Sequence, residues 1–277
     1  MRRTLIAVAL LGWTAAGAHA QPLPGVDTKG LVADEIGALS ALMKEGACPC
    51  NPRLSLFECI EKKSCPQATE LAAFGADRFR DGDGIEQVRE AVVRKYLDEH
   101  VTFTFELGDT PSKGAKDGRI QIVEFADFEC PHCALMRPVL EEVVKAYPKD
   151  VTVYFKQFPL QHHMFADLAA RATLAAHRQG RFWPMHDLIF TNQGKLSAEK
   201  FVEFATELGL NVEKFKADLE DPALAKQIQR DRQEAIDAQL TGTPTLYING
   251  KLYTEDKSPE AIKAYVQKAI GKLEAKK

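Results

Sequence analysis

The stretch Glu124-Phe125-Ala126-Asp127-Phe128-Glu129-Cys130-Pro131-His132-Cys133 constrains this chain more than any other. Upstream, Ile120-Gln121-Ile122-Val123-Glu124-Phe125 is an apolar run opening after Lys116-Asp117-Gly118, which predicts a buried strand. Downstream, Leu135, Val139, Leu140, Val143 and Val144 recur at helical spacing. A strand that ends in Cys-x-x-Cys and passes straight into a helix puts Cys130 before unpaired N–H groups and the positive end of the helix dipole. Both favour thiolate over thiol. Pro131 suits the first helical turn, where its missing N–H costs nothing. His132 sets a cationic or hydrogen-bonding group beside the sulfur. Cys133, one turn on, is placed to attack a mixed disulfide and release its partner. Stabilising the reduced form makes the disulfide a stronger oxidant, so this pair leans toward oxidising. Two cysteines at this spacing also allow a structural disulfide or half of a metal site.

A redox disulfide needs a compartment where disulfides persist, and the N-terminus supplies one. Met1-Arg2-Arg3 is basic, Leu5 to Leu11 is apolar, and Ala18-His19-Ala20 has the small-x-small form of a cleavage site. Residues 1–20 therefore read as a secretory signal peptide, and the mature protein as periplasmic and soluble. No cysteine follows the cleavage site closely, so no lipid anchor is expected. Losing Arg2 and Arg3 moves the net charge from −3 to −5, with 34 basic against 39 acidic residues. So small a charge argues against nucleic-acid and membrane-surface binding.

Residues 21–107 form a distinct segment. Leu31, Ile36, Leu39, Leu42 and Met43 predict an amphipathic helix over 29–44. Leu54 to Lys62, a helix opened by Pro66, and Ile85 to Tyr96 follow, the last two separated by the turn Asp81-Gly82-Asp83-Gly84. That turn fails as a calcium loop, because Phe79 would occupy its first ligand position. Cys48, Cys50, Cys59 and Cys65 can pair in three ways. Closing Cys48 on Cys50 would strain a small ring, so each is expected to cross to Cys59 or Cys65. Structural disulfides are the default for a secreted module this small. A second redox pair that relays electrons and a four-thiolate zinc or copper site remain the alternatives.

At Cys130-Pro131-His132-Cys133 the chain resembles the DsbA-like thiol-disulfide oxidoreductases of the thioredoxin superfamily. The resemblance covers roughly residues 109 to 277. It rests on the unchanged Pro-His dipeptide, on Glu124 six residues before Cys130, and on Thr241-Gly242-Thr243-Pro244-Thr245 before the apolar Leu246-Tyr247-Ile248. It implies an α/β thioredoxin fold over 108–277 with a helical insertion at about 162–238, preceded by the small all-α cysteine-containing module. It also implies that Glu124 is a buried acid able to move the resolving thiol's proton, and that the Thr243–Pro244 bond is cis, leaving the Thr243 backbone to pair with an extended substrate. Lys156, on the next strand, is a plausible charge partner for Glu124. His162, His163, His177 and His186 lie in or beside the insertion without the spacing of a metal site. The N-terminal segment resembles, more weakly, the helical domain of CcmH-like cytochrome c maturation proteins. That likeness rests on the early paired cysteines, Cys65-Pro66-Gln67-Ala68 and the helix from Gly84 to Tyr96. The pair here is Cys-x-Cys rather than Cys-x-x-Cys, so only the fold is carried over.

Together these features predict a protein disulfide oxidoreductase, most simply an oxidase, with reductase or isomerase sharing the same constellation. Its partners are cysteine-containing substrate proteins and a membrane redox protein that regenerates the pair. No organic cofactor is needed, since the electrons reside on the two sulfurs. A metal-binding chaperone using Cys48, Cys50, Cys59 and Cys65 is the rival from another class.

Overall fold

The structure is a computed structural model that describes residues 23–275. The signal-peptide reading of residues 1–20 lies outside the described residues. The chain divides into two compact units, 1–101 and 102–277.

In the first unit four helices surround one apolar core: α1 (Ala33–Glu45), α2 (Leu56–Glu61), α3 (Pro66–Arg80) and α4 (Ile85–His100). Leu39, Met43, Ile60, Leu71, Ala72 and Val88 are sealed in that core. Gly75 lets α3 approach α1 and α4, since a Cβ there would stand 2.6 Å from a Leu39 methyl and 3.1 Å from one of Val92. The predicted helix start at 29 shifts to 33 because Gly30 takes a positive φ of 90°, which breaks the helical run. A two-stranded antiparallel hairpin, β1 (Ala47–Cys48) and β2 (Asn51–Ser55), precedes α2. Ser55 then caps α2, its hydroxyl accepting from the Glu58 amide at 3.1 Å while the Glu58 carboxylate accepts from the Ser55 amide at 2.7 Å.

The second unit is a thioredoxin fold. Its five strands are β3 (Ser112–Gly114), β4 (Ile120–Ala126), β5 (Val151–Gln157), β6 (Thr245–Ile248) and β7 (Lys251–Leu252), ordered β3-β5-β4-β6-β7. The central pair β4–β5 is parallel, joined through α5 (Pro131–Ala146), and the other pairings are antiparallel. Ile122, Val153, Leu246 and Ile248 pack with Leu140 and Val143 of α5 and with Ile262 and Val266 of α11 (Pro259–Glu274) on one face. The opposite face carries Val123, Phe125 and Tyr247 against Ala235 of α10 (Pro222–Asp237). Residues 102–107, placed with the first segment on sequence grounds, belong here. Phe103 and Phe105 lie edge-on to Tyr247 at 5.1 and 4.9 Å, and the Phe103 amide donates to the Gly250 carbonyl at 2.8 Å.

Between β5 and β6 the chain makes the insertion: α6 (Ala166–His177), α7 (Phe182–Thr191), α8 (Ala198–Glu207), α9 (Val212–Leu219) and α10. Its alanine-rich α6 is buried along much of its length, and small side chains there admit close helix packing. The insertion core closes over Phe128, Phe155, Cys130 and Cys133, so these helices roof the cysteine turn.

Candidate active site

Strand β4 delivers the chain to a four-residue turn whose geometry is held from several sides. Asp127, fully buried, accepts from the Glu129 amide at 2.6 Å through one oxygen and from the Leu160 amide at 2.6 Å through the other. That second oxygen also meets His163 Nδ1 at 2.9 Å. Glu129 accepts from the Phe165 amide at 2.5 Å. The Gln193 side-chain amide donates to the carbonyls of Phe128 and Cys130 at 2.8 and 3.0 Å. Phe128 fills the space beneath, with ring centroids 5.1 Å from Phe155 and 4.8 Å from Phe190. Asp127 and Gln193 escaped the sequence reading. An aspartate at a strand-to-helix turn gives a local signal for the first. Gln193 is distant in the chain and gives none.

Cys130 is the N-cap of α5, with Pro131 at the first helical position. No side chain caps this helix and its first turn holds no acid, so the positive end of its dipole, with the His132 amide, faces an anionic sulfur, while the Cys133 and Ala134 amides donate to the Cys130 carbonyl. The Cys130 thiol donates to the Thr243 carbonyl at 3.4 Å, and the Thr243–Pro244 bond is cis. Cys133 is deeper, at 0% exposure, and its sulfur accepts from the Asp127 amide at 3.5 Å. Burial and the Glu124 charge push the Cys133 thiol strongly up, while the Asp127 amide and the Thr243 hydroxyl pull the other way. Both thiols are free in this structure.

Glu124 is buried in β4, opposite Phe155 on one side and Leu246 on the other. Burial pushes its carboxyl up to about 8, against the pull of Lys113 and Lys257. The pairing with Lys156 expected from sequence does not form. Lys156 stands beside Phe125 in the β4–β5 register, and neighbouring residues on a strand point to opposite faces. Its ammonium turns instead to Asp231 at 3.0 Å, Glu234 at 2.7 Å and the Glu106 carbonyl at 2.5 Å. Lys257, from the loop before α11, takes a different part near the cysteines. It donates to the Pro244 carbonyl at 2.7 Å and stands with Thr243, Pro244, His132 and Met136 around a shallow groove. His132 itself is exposed, and Leu135 beside the groove is 69% exposed.

The other histidines fall into packing roles. His186 is buried among Phe128, Phe155 and Phe190, and burial pushes it down to about 4, which keeps it neutral. His177 packs edge-on to Phe182, and His162 lies tilted against His163 with centroids 4.3 Å apart. In the first unit Cys48 is bonded to Cys59 and Cys50 to Cys65. Among the described residues the sulfurs of Cys48, Cys50 and Cys65 are a group within 4.8 Å of one another, and their disulfide bonds engage them.

Comparison with known proteins places this geometry. The DSBA-like thioredoxin domain matches residues 121–267. The fold is similar to that of a thioredoxin-like oxidoreductase from Silicibacter pomeroyi DSS-3, at 27% identity and a TM-score of 0.55, over 59% of this chain and 94% of that one. A periplasmic thioredoxin-like protein from Salmonella enterica serovar Typhimurium shares the fold at 23% identity and a TM-score of 0.51, over 64% of this chain and 95% of that one. A curated relative, the Na(+)/H(+) antiporter NhaA of Herminiimonas arsenicoxydans, is 37% identical over 139 residues, 50% of this chain and 22% of the antiporter. The chain thus spans less than a quarter of the length of the curated relatives it matches. Among the described residues no helix is long and apolar enough to cross a membrane. The matched residues run from the central strand through the insertion and into the last helix of the second unit, and through them the chain belongs to the DSBA-like thioredoxin domain family.

Proposed function

We propose that this protein oxidises cysteine pairs of other proteins by passing on a Cys130–Cys133 disulfide, in the periplasm. The observation that carries this reading is the inequality of the two sulfurs. Cys130 lies at the helix N-terminus against the Thr243 carbonyl, whereas Cys133 is sealed above the Glu124 carboxyl. A substrate sulfur arriving along the groove therefore meets Cys130 first.

A substrate thiolate attacks Cys130 Sγ, the Cys130–Cys133 bond breaks, and its electron pair departs on Cys133 Sγ. That buried anion is unfavourable, and Glu124, neutral below about 8, supplies the proton that quenches it. The second substrate thiolate then attacks its own partner sulfur, forming the substrate disulfide and releasing Cys130 as an anion before the α5 amides. Thr243 and Pro244 hold the substrate chain in extended form beside the pair, and His132 stabilises the departing Cys130 anion. The electrons stay on sulfur throughout, so no organic cofactor enters. A membrane redox protein reoxidises the pair. The periplasmic setting is supported by the Salmonella structural neighbour and by the basic-apolar start of the sequence.

Equilibrium against glutathione tests the direction of flow. A potential near about −120 mV supports the oxidase, and one near about −270 mV, the thioredoxin range, overturns it. Glu124→Gln tests the proton step. Because the carboxyl donates only while protonated, the native rate should fall as pH rises through about 8. The variant should oxidise a dithiol peptide roughly tenfold more slowly at neutral pH and lose that inflection. Stopped-flow fluorescence of the peptide reads both, and an unchanged rate and profile would remove Glu124 from the mechanism.

A further inference from the structure

The four sulfurs of the first unit are unequal in a way that a purely structural pair of cross-links does not require. Cys48, Cys59 and Cys65 are buried to 1% or less, whereas Cys50 is exposed. Cys48–Cys59 ties the hairpin to the interior of α2 and belongs wholly to the apolar core. Cys50–Cys65 ties the hairpin turn to the start of α3, at the edge of that core.

Cys65 also repeats the local setting of Cys130. It is the N-cap of a long helix, Pro66 follows at the first helical position, no side chain caps the helix, and the first turn holds no acid. The Gln67 side-chain carbonyl oxygen Oε1 lies 3.3 Å from Cys50 Sγ and 3.4 Å from Cys65 Sγ. Disulfide sulfurs carry no proton, so these are contacts of an amide with a bare sulfur pair. Turning the amide presents its N–H groups to the same atoms. One sulfur open to attack, a leaving sulfur at a helix N-terminus and an amide over both are the parts that thiol-disulfide exchange uses.

We propose that Cys50–Cys65 is a second exchangeable disulfide, opened by the thiolate of a protein dithiol at the exposed Cys50. In the first step the incoming thiolate bonds to Cys50 Sγ, the Cys50–Cys65 bond breaks, and the electron pair leaves on Cys65 Sγ. The donor's second thiolate then attacks the mixed disulfide, so the donor departs oxidised and Cys50 is released as a thiolate. Two electrons have moved from the donor to the Cys50–Cys65 pair. Cys48–Cys59, with no sulfur open to solvent, stays closed and keeps the core together.

The test uses the full chain carrying Cys130→Ser and Cys133→Ser, so that only the four N-terminal sulfurs report. A failure of the reading given for Cys130 and Cys133 leaves this result untouched. The protein is equilibrated in a series of glutathione redox buffers, trapped with a maleimide and mapped by peptide mass spectrometry. Circular dichroism is recorded on the same samples. Cys50 and Cys65 should be labelled together, at a reduced-glutathione level at least about tenfold below that needed to open Cys48 and Cys59, with the helical signal unchanged. Labelling of all four cysteines together, or opening of Cys50–Cys65 only as the helical signal collapses, overturns the proposal. As a second measurement, a chain that also carries Cys50→Ser and Cys65→Ser should keep its helical signal at room temperature. Loss of that signal would make the bond a structural brace and overturn the proposal as well.

Discussion

Cys130→Ser is expected to reduce disulfide transfer to the uncatalysed background, and Cys133→Ser to stall it halfway. The first loss is at least about a thousandfold, because a hydroxyl forms no disulfide and the second sulfur cannot stand in. Cys133 is wholly buried under the insertion helices, with its thiol pushed strongly up by burial and by Glu124, so it is neither reachable nor anionic. With Cys133→Ser the attacking sulfur survives but nothing inside the protein displaces the substrate from it. Given a peptide closed by its own disulfide, the Cys130 thiolate bonds to one peptide sulfur and the other leaves as a thiolate; with no Cys133 thiol to resolve it, this mixed disulfide should accumulate, visible as a mass increase equal to the peptide and reversed by reductant. Retention of exchange in Cys130→Ser, or no trapped adduct in Cys133→Ser, would contradict the order of attack given above.

Lys156→Met is expected to cost about 3–5 kcal/mol of folding stability while leaving the cysteine turn's own contacts in place. The ammonium is fully buried, and it holds Asp231, Glu234 and the Glu106 carbonyl at one point beneath the sheet. Asp231 Oδ2 also accepts from the Gln157 amide at 3.0 Å, so this cluster fastens α10 to the end of β5. Burial already raises the Asp231 carboxyl to about 6 even with Lys156 beside it. Removing the cation leaves two acids facing a low-dielectric interior and raises that carboxyl further. A carboxyl raised in the folded state binds a proton that the unfolded chain, at its ordinary 3.8, releases. The penalty is absent below that ordinary value and grows as pH climbs to the folded one. Urea unfolding at pH 8 should thus show a larger defect than at pH 4.5. Lys156→Met with Asp231→Asn should recover part of it at pH 8. Equal defects at the two pH values would show that packing, not charge, was lost.

The strand, the Cys-x-x-Cys and the helix that follows were legible because each is a local pattern: an apolar run, a turn, a 3.6-residue period. The insertion was legible as a long helical stretch between two strands. The edge strands β3 and β7 were not, since two or three residues carry no period. Residues 102–107 went to the wrong unit because Phe103 and Phe105 are extended aromatics whose partners, Tyr247 and Phe125, lie far along the chain. The Lys156 partner was misjudged for a related reason. Adjacent strands put Lys156 beside Phe125, one residue from Glu124 in sequence and on the other side of the sheet.

What residue order alone determined here is which atoms can do chemistry and that one of them starts a helix, because capping, proline placement and period act over a few residues. Which sulfur is sealed, which lysines face Glu124, that Asp127 meets Leu160 and His163, and how the four N-terminal cysteines pair were decided only by the tertiary structure. Burial and through-space charge depend on distances between segments that the chain's order leaves unspecified.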